Sequence, residues 1–246
     1  MSSKTATLLP PAERAARQAE KQKIVLEFLR DEIWTHGDVV AELLGFKSRQ
    51  AGHKALSALA RAGLVRQAKV ETAWGRPVSI WGITSHGQAM AWPLDAEPPE
   101  NPRTFEPSKI KPSTMAHHLD IQKARISAAR SGWKGWQAGD AVFQKERKMK
   151  YPDAIATAPD GARVAIEVER TIKSKKRYSE IIVSHLLARR AGHYQRVMYR
   201  CPDPDLTARL ARVFDSIKSV RYGAKSITLT DEHRQIFEFK SYADAW

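Results

Sequence analysis

Three carboxylates and a group of lysines close behind them are the residues of this sequence best placed to do chemistry. Asp153 follows Pro152 at the head of PDAIATA, and after the turn PDG the segment ARVAIEVER carries Glu167 and Glu169. In an extended chain side chains alternate, so Val164, Ile166 and Val168 take one face while Ala165, Glu167 and Glu169 take the other. The tight Pro-Asp-Gly turn folds the two segments into a hairpin that can bring Asp153 beside the glutamate pair. Three converging acids repel one another unless a divalent cation neutralises them, and an all-oxygen donor set favours Mg²⁺, with Mn²⁺ the alternative. A cation so held polarises a phosphodiester and stabilises its leaving oxygen. Lys173 is the lysine nearest the strand end, placed to hold the scissile phosphate or the nucleophile; Lys175 and Lys176 follow it. The competing account makes the acids partners in surface ion pairs with Arg163, Arg170 and Arg177.

These residues need a sheet with helices around it, and the surrounding pattern supplies one. HHLDIQKARISAARSG reads as a helix, DAVFQKER as a short strand, then come the two hairpin strands. KKRYSEIIVSHLLARRAG reads as a basic helix, YQRVMYR as a strand, DPDLTARLARVFDSIKS as a helix and KSITLTD as a last strand. Helix, three-strand meander, helix, strand makes a mixed α/β sheet over residues 117–246.

Ahead of it, six of the thirteen prolines fall between Pro93 and Pro112. Proline removes an amide donor and forces extended geometry on its predecessor, so residues 93–116 read as a spacer with few contacts to either side. Residues 12–92 form a second region. Ile24, Val25, Phe28, Leu29 and Ile33 make one buried stripe on a helix from Ala12 to Trp34. Asp38 can cap a short second helix, and Ser48 a third, SRQAGHKALSALARAGLV, whose Leu56 and Leu59, with Leu64 beyond, face inward. LVRQAKV, the turn AWGRP and VSIWGIT then alternate as a hairpin, and SHGQAMAW follows as a short helix. Helix, short helix, turn, helix and hairpin is the winged-helix order, here expected to bind DNA. Lys47, Ser48, Arg49, Gln50 and Lys54 would meet phosphates and base edges in the major groove, and Arg76 at the wing tip the adjoining groove. A winged helix that binds protein is the alternative.

The composition agrees with a polyanion partner. Of 246 residues, 41 are Lys or Arg and 27 Asp or Glu, a formal net charge of +14. The first 92 residues carry 13 cationic and 8 anionic groups, residues 93–116 carry 3 and 4, and residues 117–246 carry 25 and 15. Both expected domains are basic and the junction is not, which favours duplex DNA over a membrane. A single cysteine, Cys201, excludes an intrachain disulfide or a thiolate zinc site. No apolar run is long enough to span a bilayer and the N-terminal stretch lacks a signal core, so a cytoplasmic protein without membrane insertion is expected.

At Pro152-Asp153 and Glu167-Val168-Glu169 the sequence resembles the PD-(D/E)XK nuclease superfamily, with Glu169 at the position usually held by lysine. Some members carry acid-any-acid there, and others move the lysine to the following helix, where Lys173, Lys175 and Lys176 lie. The wider arrangement, HHLDIQ with RSGW, then PDA and EVERTIKSKKRY, resembles the replication-relaxation family and within it the MOB-C class of plasmid relaxases. The resemblance implies a metal-dependent enzyme that nicks one DNA strand at a plasmid transfer origin, leaving a nicked or single-stranded product, with accessory mobilization proteins as partners. Tyr178 is then the candidate for holding a cleaved end, if an attached intermediate forms, with packing on the sheet as its other role. His117 and His118 are adjacent and do not make the His-apolar-His metal motif of other relaxases. A non-catalytic DNA-binding regulator or replication accessory, and a sequence- or structure-selective endonuclease, are the remaining alternatives.

Overall fold

The computed structural model describes residues 10–72, 75–93, 95–143 and 151–246. It is a mixed α/β structure whose chain separates into two compact units, 1–119 and 120–246. Among the described residues no helix is long and apolar enough to cross a membrane.

The first unit opens with α1 (Pro11–Glu32), where Pro11 stands at the first helical position and needs no amide partner. Residues 11–20 are exposed, and the helix buries Val25, Leu26, Phe28 and Leu29 in its second half. After β1 (Trp34–Thr35) come α2 (Gly37–Leu43) and α3 (Arg49–Arg61). The cap of α2 is the His36 ring, whose Nδ1 accepts from Asp38 N–H at 3.3 Å, not the expected Asp38 carboxylate. Ser48 caps α3 as expected, its Oγ accepting from Ala51 N–H at 3.3 Å. β2 (Val65–Val70) and β3 (Val78–Ile83) pair antiparallel from Val65↔Ile83 to Val70↔Val78, and β1 joins the other edge of β3. α4 (Ser85–Ala91) follows, capped by Thr84. Leu29, Val40, Leu56, Leu59 and Ile83 form the core, with Leu64 at its margin.

The proline-rich segment is not a loose spacer. Phe105 is 1% exposed, packs with Val70, Ile80 and Met115, and fills the space a side chain at Gly82 would need. Its amide donates to Ile83 O at 3.0 Å, and Gln88 Nε2 donates to Arg103 O at 2.6 Å. One aromatic anchor therefore ties residues 103–105 to the first unit, which composition alone concealed. The units divide within α5 (Pro112–Arg130) rather than at residues 93–116.

The second unit contains β4 (Lys134–Ala138), a single helical turn α6 (Gly139–Val142), β5 (Ala154–Thr157), β6 (Arg163–Val168), α7 (Lys175–Arg190), β7 (Arg196–Cys201) and α8 (Pro204–Ser216). A hairpin of β8 (Ser219–Tyr222) and β9 (Lys225–Thr228) comes next, then α9 (Asp231–Arg234) and β10 (Phe237–Ser241). The main sheet has the order β10-β7-β6-β5-β4, antiparallel across β4, β5 and β6 and parallel across β6, β7 and β10. The first strand of the meander is residues 134–138; the expected strand at 140–147 is helical at Gly139–Val142, and residues 144–147 lie outside the described set. The expected last strand belongs to the separate hairpin, and β10 completes the sheet instead. Val164, Ile166 and Met198 pack on the α5 side with Ala128, while Ala165, Val197 and Tyr199 pack under α7 and α8 with Tyr178, Ile181 and Phe214.

Candidate functional site

The acids gather at the ends of β5 and β6. β5 pairs with β6 up to Ala154↔Ile166, so Asp153, one residue before the strand, lies at the end of the ladder next to the Glu167 position. Asp153 Oδ2 accepts from Val168 N–H at 2.7 Å, which fixes this carboxylate against the end of β6. Gly139 keeps the neighbouring chain close: its amide donates to Asp153 O at 3.2 Å, and a Cβ there would lie 1.8 Å from Pro152 O.

Glu167 and Glu169 are both 5% exposed. Glu167 shares its face with Ala165 and turns into the layer beneath α7, where His185 Nε2 lies 3.2 Å from its Oε1. That approach lacks the alignment of a hydrogen bond. His185 is 1% exposed and its Nδ1 contacts Tyr194 Oη at 2.7 Å. Tyr199, paired with Glu167 across β6 and β7, is fully buried, and its hydroxyl has no hydrogen-bond partner among the described residues. Burial, and the neighbouring Glu167 charge, push the Tyr194 and Tyr199 hydroxyls well above their ordinary values.

Glu169 continues the strand pairing, its amide donating to Arg200 O at 3.0 Å. Its Oε2 accepts from Lys173 Nζ and, at 3.1 Å, from the Tyr178 hydroxyl. Tyr178 Oη in turn accepts from Lys173 N–H at 3.1 Å. The structure thus unites three of the predicted residues, Glu169, Lys173 and Tyr178, in one hydrogen-bonded group. Tyr178 is fully buried, and burial raises its hydroxyl above the ordinary range. The enclosed phenol bridges Glu169 and the Lys173 amide, which matches the packing role also expected of Tyr178. Burial likewise pushes the Cys201 thiol up to about 11, which leaves it protonated and unreactive at neutral pH.

The expected three-carboxylate cage is not assembled. Among the described residues no group of three or more His, Cys, Asp or Glu side chains is placed to hold an ion. Glu169 is satisfied by Lys173 and Tyr178, so the donor set that remains at neighbouring positions is the pair Asp153 and Glu167. A pair fits Mg²⁺, which keeps several waters and takes one or two carboxylates together with substrate phosphate oxygens.

Sequence reasoning missed His185, Tyr194 and Tyr199. One signal was available: Tyr178, Ile181, Ile182, His185 and Ala188 form a buried stripe at helical spacing, with a polar ring where an aliphatic residue is usual.

In the first unit Lys47, Ser48, Arg49, Gln50 and Lys54 are exposed along the start of α3, and Arg76 is exposed in the β2–β3 turn. Arg49 is engaged already, its Nε 2.8 Å from Asp38 Oδ1. Arg163, Arg170 and Arg177 pair elsewhere where they pair at all: Arg170 with Asp120 and Arg177 with Glu180, not with the strand acids. His118 stacks on Trp34 with centroids 4.4 Å apart, and burial lowers its affinity for a proton against the pull of Glu32. It is a packing residue.

No family model matches the chain, and no curated protein matches it. Among solved structures the chain is similar to a mutant of Lactococcus lactis ZitR in apo form, at 25% identity over 32% of this chain, with a TM-score of 0.25. The match spans 58% of the length of that structure.

Proposed function

We propose that this chain is a DNA-processing protein in which a winged-helix domain reads duplex DNA and a PD-(D/E)XK-like domain nicks one strand with Mg²⁺, as a plasmid mobilization relaxase would. The observation that carries the reading is the meander-helix-strand sheet with Asp153 bonded to the end of β6 beside Glu167 and the Glu169–Lys173 pair at the same strand end. Asp153 and Glu167 would hold the ion, which when bound polarises the scissile phosphate and lowers the proton affinity of the attacking water. Val168 N–H fixes the Asp153 carboxylate from behind, and the buried His185 ring packs 3.2 Å from Glu167. Lys173, with its side chain partly exposed, exchanges Glu169 for a phosphate oxygen as substrate enters, and this transfer of an existing charge pair costs less than desolvating a free ammonium. Lys47, Gln50, Lys54 and Arg76 are open to the duplex, and Ser48, by capping α3, supports the turn that carries Gln50 and Lys54.

The test is nicking of supercoiled plasmid with and without Mg²⁺. Nicking that requires the metal and is lost in Asp153→Asn and Glu167→Gln, with DNA affinity retained, supports the reading. Dependence on a cloned origin distinguishes a relaxase from a general endonuclease. One observation favours a second reading, a non-catalytic DNA-binding regulator: Asp153 and Glu169 are held by protein donors. Sequence-selective binding without any metal-dependent nicking selects it.

A further inference from the structure

A cavity of about 540 Å³ opens in the second unit between α7 and the β8–β9 hairpin, and none of the acids described above lines it. Its floor is aliphatic, with Val183, Leu186 and Leu187 on the helix facing Val220 and Ile227 on the hairpin. Tyr222 and Ile227 are 52% and 37% exposed, large apolar side chains left open to water at the rim. Val183, Leu186, Leu187 and Arg190 follow one another at helical spacing, so the same face of α7 that lays the floor brings a guanidinium to its end. Arg189 stands beside it and approaches a carboxylate only loosely, Nη1 lying 4.0 Å from the exposed Glu232. Arg190 forms no ion pair among the described residues.

Cations in the last turn of a helix offset its dipole, which accounts for arginines at this position. It does not account for an aliphatic hollow next to them. The volume lies in the range of small-molecule sites, roughly 300–1,000 Å³, which are mostly apolar with a few polar groups that orient the ligand. A nucleic-acid strand would need a row of cations and exposed aromatic platforms, and of the two tyrosines in this lining Tyr194 is buried and only Tyr222 is exposed, over aliphatic side chains. We propose that this cavity binds a small apolar molecule bearing one anionic group, its body on the Val183–Leu187 floor and its anion at Arg189 and Arg190. The site is independent of the nuclease reading.

The experiment titrates the full chain with anilinonaphthalene sulfonate, an apolar anion, and with uncharged N-phenylnaphthylamine, by fluorescence and calorimetry. One saturable site is expected, with the sulfonate bound at least about tenfold more tightly, the difference one charge-assisted contact makes. Arg190→Gln should weaken the sulfonate about tenfold, and Ile227→Glu, at a rim position that tolerates a polar side chain, should abolish its binding. Lys69→Ala in the other unit should leave binding of both dyes unchanged. Thermal melts of each variant establish that it is folded. Several weak sites, equal affinity for the uncharged compound, unchanged binding in both cavity variants, or displacement of the dye by a single-stranded oligonucleotide would each overturn the proposal.

Discussion

Two buried tyrosines show how the same side chain acts oppositely in two places. Tyr178 satisfies Lys173 N–H and Glu169 at once, so Tyr178→Phe leaves two polar groups without it and should cost about 1–3 kcal/mol in urea unfolding. The Tyr199 hydroxyl is buried without a partner, and Tyr199→Phe should be neutral or stabilise by about 1 kcal/mol. A loss above that size would mean that the hydroxyl is satisfied by an ordered water. On the surface proposed to face DNA the same accounting separates the cations. Lys47 and Arg76 are exposed, and each substitution by Ala should lower the slope of log affinity against log salt by about one. Arg49 is held at 2.8 Å by Asp38, so Arg49→Ala should change the slope less than either. Equal effects at all three positions would show that Arg49 leaves Asp38 when DNA binds.

At the scale of elements, α3 crosses α2 at Gly52, where a Cβ would fall 2.1 Å from Gly37 O and 2.8 Å from Ala41 N. Helix propensity favours Gly52→Ala by about 1 kcal/mol, but the obstruction is backbone and cannot rotate away. The clash should win, with net destabilisation of about 1–3 kcal/mol and a lower melting temperature. If the variant is more stable than the parent, the two helices do not pack this closely in solution. Which elements the sequence disclosed follows from the strength of their local signals. The stripe on α1, the Ser48 cap and the alternation of β6 depend only on near neighbours along the chain, and each is legible in the sequence itself. The hairpin likewise put Asp153 beside Glu167. β10 escaped because FEFKS pairs in parallel with β7, across a connection no periodicity marks. The proline-rich segment misled because one residue, Phe105, decides its packing. Alternation places Glu169 on the Glu167 face, but its pairing with Lys173 depends on how the chain turns into α7, which no periodicity reports.

The whole molecule carries its tyrosines unevenly: all six, from Tyr151 to Tyr242, belong to the second unit. Tyr178, Tyr194, Tyr199 and Tyr242 all have proton affinities raised in the folded state, chiefly by burial. A raised tyrosine value means that the folded chain keeps protons that the unfolded chain gives up once the pH passes about 10. The native state then binds more protons than the unfolded state, so unfolding free energy falls as pH rises. Below about pH 10 both states are protonated and these groups give no pH dependence. Above it each should contribute about 1.4 kcal/mol per pH unit. The Cys201 thiol, raised to about 11 by burial, adds a smaller loss that begins near its ordinary value. Hydrogen exchange read peptide by peptide between about pH 9 and 11 should therefore show residues 120–246 losing protection steeply, after correction for intrinsic rates, while residues 10–119 lack this source of alkaline loss. Tyr194→Phe should make the loss shallower by one proton's share. Equal alkaline loss in both units would mean that lysines, which both units carry, control the transition in place of the buried tyrosines.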